Sequence, residues 1–148
     1  VPTPTPLVPE IVAQGTGVRV CSECGEWIYF SLRTAGIVTI TVDYTFPDTN
    51  PAIWVAPGHC TYEMAVATQC SWVVKSFINE KPGKIVQSLS AGEQTLVIDN
   101  PGTHEETVSY QVVLNARSST AQAHGAANTS AAVTRLAPHR PSAETNAP

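Results

Sequence analysis

Four cysteines are the residues whose types and spacing are best suited to chemistry. Cys21 and Cys24 form Cys-x-x-Cys ahead of Gly25, and Cys60 and Cys70 enclose nine residues. An even cysteine number in a chain with the look of an exported β-protein favours two disulfides, Cys21–Cys24 and Cys60–Cys70. The crossed pairings stay open, because sequence does not fix connectivity. A second reading makes all four cysteines zinc ligands, since Cys-x-x-Cys-Gly has the form of a zinc knuckle. Its matching second knuckle is missing, as Cys60 and Cys70 stand too far apart in sequence. A third reading, a redox Cys-x-x-Cys, needs a helix N-terminus in a βαβ unit, and no such unit is visible. The disulfide reading is adopted, and neither a metal nor a cofactor is expected.

Other reactive side chains are less organised. His59 beside Cys60 invites a thiol–imidazole pair, but neighbours on a strand point to opposite faces. Asp99, His104, Glu105 and Glu106 gather around one turn, with Asp43 and Asp48 elsewhere, and lack the spacing of a calcium loop. Gly-x-Ser-x-Gly, P-loop, His-Glu-x-x-His and Cys-x-x-Cys-His patterns are absent from the sequence. An enzyme is therefore not expected. Trp27, Trp54, Trp72 and Tyr62 suit a hydrophobic core. Trp54, on a short strand between prolines, and Tyr62 are the candidates for a sugar-stacking platform.

The elements that must position these residues are strands. Val38, Ile40, Val42, Tyr44 and Phe46 alternate with Thr39, Thr41, Asp43 and Thr45, which is the period of a half-buried strand. Residues 82–115 read as three further strands. Leu96 and Ile98 alternate with Thr95, Val97 and Asp99, and Val108, Tyr110, Val112 and Leu114 sit two apart. Gly92 supplies the positive φ of a tight turn. Asn100-Pro101-Gly102-Thr103 carries a type II turn signature, with Gly at the third position. Trp27 and Tyr29 oppose Ile28, Phe30 and Leu32, so that strand is apolar on both faces and predicted to be central. Residues 60–70 are compatible with a strand or a short helical turn. Eight or nine short strands separated by Pro/Gly turns predict an all-β, antiparallel, jelly-roll-like sandwich over residues 11–116.

The ends differ from this domain. Residues 1–10 hold four prolines among the first nine positions, which suits an extended spacer, with Thr3 and Thr5 as candidate O-glycosylation sites. Leu7, Val8, Ile11 and Val12 are the candidate residues of a strand that pairs with another subunit. Residues 117–148 contain nine Ala and eight Ser or Thr, and are expected to find too little burial within the chain to become ordered. Asn128 lies in an N-glycosylation sequon.

Of 148 residues, 43% are hydrophobic and only 14% charged, a balance that suits a secreted β-protein. Through Ala116 there are eleven Asp/Glu against five Lys/Arg, whereas the remainder has three Arg and one Glu. An acidic body does not suit nucleic acid. No segment is apolar for long enough to span a bilayer. The chain starts at Val1 without a signal peptide and is read as a processed, exported form.

Leu89–Asn100 and Val108–Leu114 give a small-residue-Gly turn, an alternating strand, an Asn turn and a last aromatic strand. With Ile37–Phe46 and Trp54, this pattern resembles the bacterial pre-peptidase C-terminal type domains and related exported jelly-roll modules, over about residues 36–115. The resemblance implies an extracellular β-sandwich without catalysis of its own. The expected function is a non-catalytic extracellular or cell-surface structural module. It would assemble through its terminal segment in the manner of a filament or pilus subunit. Self-association or another extracellular protein would be its partner. The alternative is a carbohydrate-binding module that uses exposed aromatics to hold glycans.

Overall fold

The computed structural model describes residues 8–117 and 132–142. Eight strands form two four-stranded antiparallel sheets: β1 (Glu10–Val20), β2 (Cys24–Leu32), β3 (Gly36–Asp43), β4 (Ala52–Pro57), β5 (Val74–Phe77), β6 (Gly83–Leu89), β7 (Gly92–Asn100) and β8 (Glu106–Arg117). One sheet has the order β1-β8-β3-β6 and the other β2-β7-β4-β5. Consecutive strands alternate between the sheets over most of the chain, which is the eight-stranded jelly roll.

The period-two pattern sets the core. Val38, Ile40 and Val42 of β3 face Leu96 and Ile98 of β7 and Val108, Val112 and Leu114 of β8, all fully or almost fully buried. Tyr110 is half-buried at the margin of the same cluster. Its ring crosses Gly15, where a Cβ would lie 2.5 Å from Tyr110 Cε1. β3 ends at Asp43, earlier than its alternation predicts, and Phe46 leaves the strand for the surface. β2 lies at the edge of its sheet rather than at the centre.

Residues 60–70 form α1 (Tyr62–Val66), a single short helix, with the Thr61 side chain accepting from Met64 N–H at 3.2 Å as an N-cap. Gly92 takes a φ of +102°, as its turn requires. Gly102 does not take a positive φ. The type II expectation is corrected by Asn100, whose Oδ1 accepts the Gly102 N–H at 2.9 Å. This Asx turn replaces the glycine conformation. Asn100 Nδ2 also donates to Val20 O, Cys21 O and His104 O, so one side chain ties three segments together.

Among the described residues two carboxylates are fully buried, and both have defined structural partners. Glu106 accepts from Thr45 N at 2.7 Å, Phe46 N at 3.1 Å and Thr49 Oγ1 at 2.5 Å, and so fixes the loop after β3. The other is Asp99, on the outward face of β7.

Candidate functional site

The outward face of the β2-β7-β4-β5 sheet is built in cross-strand rows. Trp27, Val97, Trp54 and Lys75 align in one row, and Gly25, Asp99, Ala52 and Phe77 in the next. A sheet face of this composition would expose a large apolar surface if left bare. It is not left bare. Residues 132–142 cross it from one edge to the other.

The crossing begins at β5, where Ala132 bridges Ser76 and Val133 N–H donates to Lys75 O at 3.2 Å. The Val133 side chain is buried among Ala52, Trp54 and Val97. Arg135 then donates to the Asp99 carboxylate, and its guanidinium stands 5.8 Å from the Trp54 ring centroid. Lys75 Nζ lies 5.2 Å from the same ring. His139 gives Asp99 two further contacts, from its backbone N–H at 3.1 Å and from Nδ1 at 3.0 Å. Asp99 is fully buried, and these donors satisfy a carboxyl group that would be costly to bury unpaired.

The crossing ends at β2. Trp27 Nε1 donates to His139 O at 3.0 Å, and Gly25 N–H donates to Arg140 O at 2.8 Å. The approach at Gly25 is close, since a Cβ would lie 3.0 Å from His139 O and 3.0 Å from Val97 Cγ1. Pro141 bridges Gly25 in parallel, and Ser142 Oγ accepts from Cys21 N–H at 3.3 Å. One short segment thus bridges to both edge strands of this sheet and crosses its face.

Burial by this segment corrects one expectation. Trp54 has no exposed surface, so it cannot stack on a sugar. Tyr62 is half-buried, edge-on to Trp27 with centroids 6.1 Å apart, and Arg140 lies over its ring. The 117–148 region is also corrected in part. Residues 132–142 become ordered because the sandwich supplies the apolar and anionic surface that the segment lacks.

The cysteines pair as Cys21–Cys24 and Cys60–Cys70, with Cα–Cα distances of 5.2 and 5.9 Å. All four cysteines are disulfide-bonded, so none is free to ligate zinc in this structure, and Cys21–Cys24 joins β1 to β2 rather than opening a helix as a redox Cys-x-x-Cys does. The first disulfide anchors the start of β2 beside Ser142, and the second holds α1 against Trp27 and Trp72. His59 stacks on Tyr29 at 4.0 Å and pairs with Glu93 at 3.1 Å, away from any free thiol.

The acidic cluster at the β7–β8 turn does not converge on one point. Asp99 serves residues 132–142, Glu106 the 45–49 loop, Glu105 pairs with Arg19 at 2.7 Å, and His104 lies against Phe46. Asp43 is held below the usual carboxylate range chiefly by the hydrogen bond from Lys81, 2.9 Å away. Glu26 shares its face with Ile28 and Phe30, and desolvation raises its carboxyl above the ordinary range.

Ile11 and Val12 belong to β1, where Ile11 pairs with Val113 of the chain's own β8. These two positions thus lie on an edge strand of the chain's own sheet, paired on one side only. Val8 precedes the strand and is exposed. Leu7, Thr3, Thr5 and Asn128 lie outside the described residues.

Arg135 and His139 were not visible as site residues in the sequence. A weak signal existed: a basic stretch with two large aliphatic residues, Val133 and Leu136, follows an acidic body.

No family model matches the chain, and no curated protein matches it. A solved structure from turnip yellow mosaic virus is similar at a TM-score of 0.30 and 12% identity, over 82% of this chain and 88% of that one.

Proposed function

We propose that this protein is a non-catalytic extracellular structural module that self-associates through a terminal segment. The observation that carries this reading is the docking of residues 132–142 across the outward face of the β2-β7-β4-β5 sheet, from β5 to β2. A terminal segment that carries its own anchors is the kind of element by which β-sandwich subunits join. Residues 11 and 12 lie on β1, an edge strand that pairs on one side with β8. Two further observations support the reading. The two disulfides fit an oxidising compartment, and among the described residues no helix is long and apolar enough to cross a membrane. Asp99 and Glu106, the fully buried carboxylates, both hold chain segments in place.

The test is the assembly state of the full chain. Sedimentation and negative-stain microscopy at micromolar concentration should show multimers or filaments. A strictly monomeric protein retained on polysaccharide would overturn the reading in favour of glycan binding.

A further inference from the structure

We propose that residues 132–142 form an acid-released strap: protonation of Asp99 undocks them and uncovers a tryptophan-lined sheet face while the sandwich stays folded. The device works within one chain and does not depend on the self-association reading.

The segment is cationic. Between Ala132 and Ser142 it holds Arg135, His139 and Arg140 and no acidic residue. The surface it crosses offers little negative charge in return. β2 contributes Gly25 and Trp27 and β4 contributes Ala52 and Trp54, none of them charged. β5 contributes Lys75, a further cation. On α1, Glu63 lines a depression with Tyr62, Val66 and Arg140 at the margin. Glu93, at the other end of β7, is paired with His59. Among the described residues, that leaves the carboxyl group of Asp99 to hold the middle of the segment.

The contacts of Asp99 make this hold sensitive to protons. Arg135 and the His139 backbone N–H are fixed donors, and His139 Nδ1 is a donor once the imidazole is protonated. As pH falls, an imidazole ordinarily gains its proton before a carboxylate does. A carboxyl that then takes up a proton must place an O–H among donors, with no acceptor among these three partners. Its negative charge goes at the same moment. Arg135, His139 and Lys75 are all half-buried, and they are left without a counter-charge. Such charges are costly to keep from water, and undocking returns them to it. The released state therefore binds a proton that the docked state excludes, and docking weakens as pH falls.

The inner core is built without the segment. None of its buried members comes from residues 132–142, and both disulfides join residues outside it. Glu106, the other fully buried carboxylate, accepts from Thr45, Phe46 and Thr49, away from the segment. What the segment does touch is the cluster that holds all three tryptophans of the chain. Trp27 donates to His139 O, Trp54 packs with Val133, and Trp72 joins both and packs beside Ala137. Tryptophan emission therefore reports the strap, and the β-sheet signal reports the sandwich.

The experiment follows tryptophan emission and far-UV circular dichroism of the full chain, disulfides intact, from about pH 7 to about pH 2. The expected result is a reversible red shift of the emission at a higher pH than any loss of the β-sheet signal. Asp99→Asn should lose that separate step, because its amide takes up no proton in this range. If Asp99→Asn fails to fold, the double variant Arg135→Met, His139→Gln takes its place. Both positions lie in the segment, and removing their charges should likewise abolish the early red shift. Emission that changes only together with the β-sheet signal, or not at all, would overturn the proposal. So would an early red shift that persists in Asp99→Asn or in the double variant. Sedimentation at pH 7 reports on self-association separately, so a monomeric chain removes that reading and leaves the strap standing.

Discussion

Asp99 and His139, forty residues apart in sequence, meet through two contacts at once, from the backbone N–H and from Nδ1 of the histidine. With Arg135 beside them, they pin a terminal segment to the middle of a sheet. Removing one partner should expose how much of the stability this contact carries. Arg135→Ala leaves the buried carboxylate with fewer donors and should cost up to about 3 kcal/mol in urea denaturation. Asp99→Asn combined with Arg135→Ala should recover part of that loss, because the uncompensated charge is gone. Strict additivity of the two substitutions would show that they do not interact.

Glu26 gives a pH-dependent prediction. Desolvation raises its folded-state pKa above the unfolded value, so the ionised form is the disfavoured one. The stability contributed by the protonated form is complete below the unfolded pKa and is lost as pH rises through the folded pKa. Glu26→Gln should therefore raise the melting temperature at pH 7 relative to the parent. The difference should close at about pH 3.5, where the carboxyl is protonated in both states. An equal difference at both pH values would mean that packing, not ionisation, is responsible.

The cysteines are testable by mass. Without reductant the intact chain should weigh four hydrogens less than its reduced form and offer no thiol to alkylation. Replacing Cys60 and Cys70 by Ser should cost about 2–3 kcal/mol, the chain-entropy value for a loop of that size. A change below about 1 kcal/mol would mean that the N-cap and packing of α1 already hold the loop.

Ile40 lies at the centre of the core with no exposed surface. Ile40→Ala should lower stability by about 2–5 kcal/mol, as truncation of a buried aliphatic does. A loss well under that range would show that the inter-sheet space can collapse around the gap.

Much of the sandwich was legible because a strand with one buried face must alternate. Val38, Ile40 and Val42 revealed β3 in this way, and Val108, Val112 and Leu114 revealed β8. Trp54 was harder to place. Its burial depends on a segment about eighty positions away that has little apolar content of its own. Val133 alone does not announce a docking element; it becomes one only against Trp54 and Val97. Asp99 looked like a wet turn residue because its partners, Arg135 and His139, come from that same distant segment. The Gly102 turn was misread for a related reason. Asn100 spends its side chain on local backbone, so glycine's conformational freedom is not called upon.

The closing segment also imposes a timetable on the nascent chain. Trp27, Trp54, Val97 and Asp99 are all synthesised before residue 117, and the residues that cover them are completed only at position 142. At about 5–20 residues per second, that interval lasts about 1–5 s. A chain that ends within it holds every strand of the inner core but lacks the cover for an aromatic row and for Asp99. A ribosome that stops between those positions releases a domain with an intact interior and an unfinished exterior.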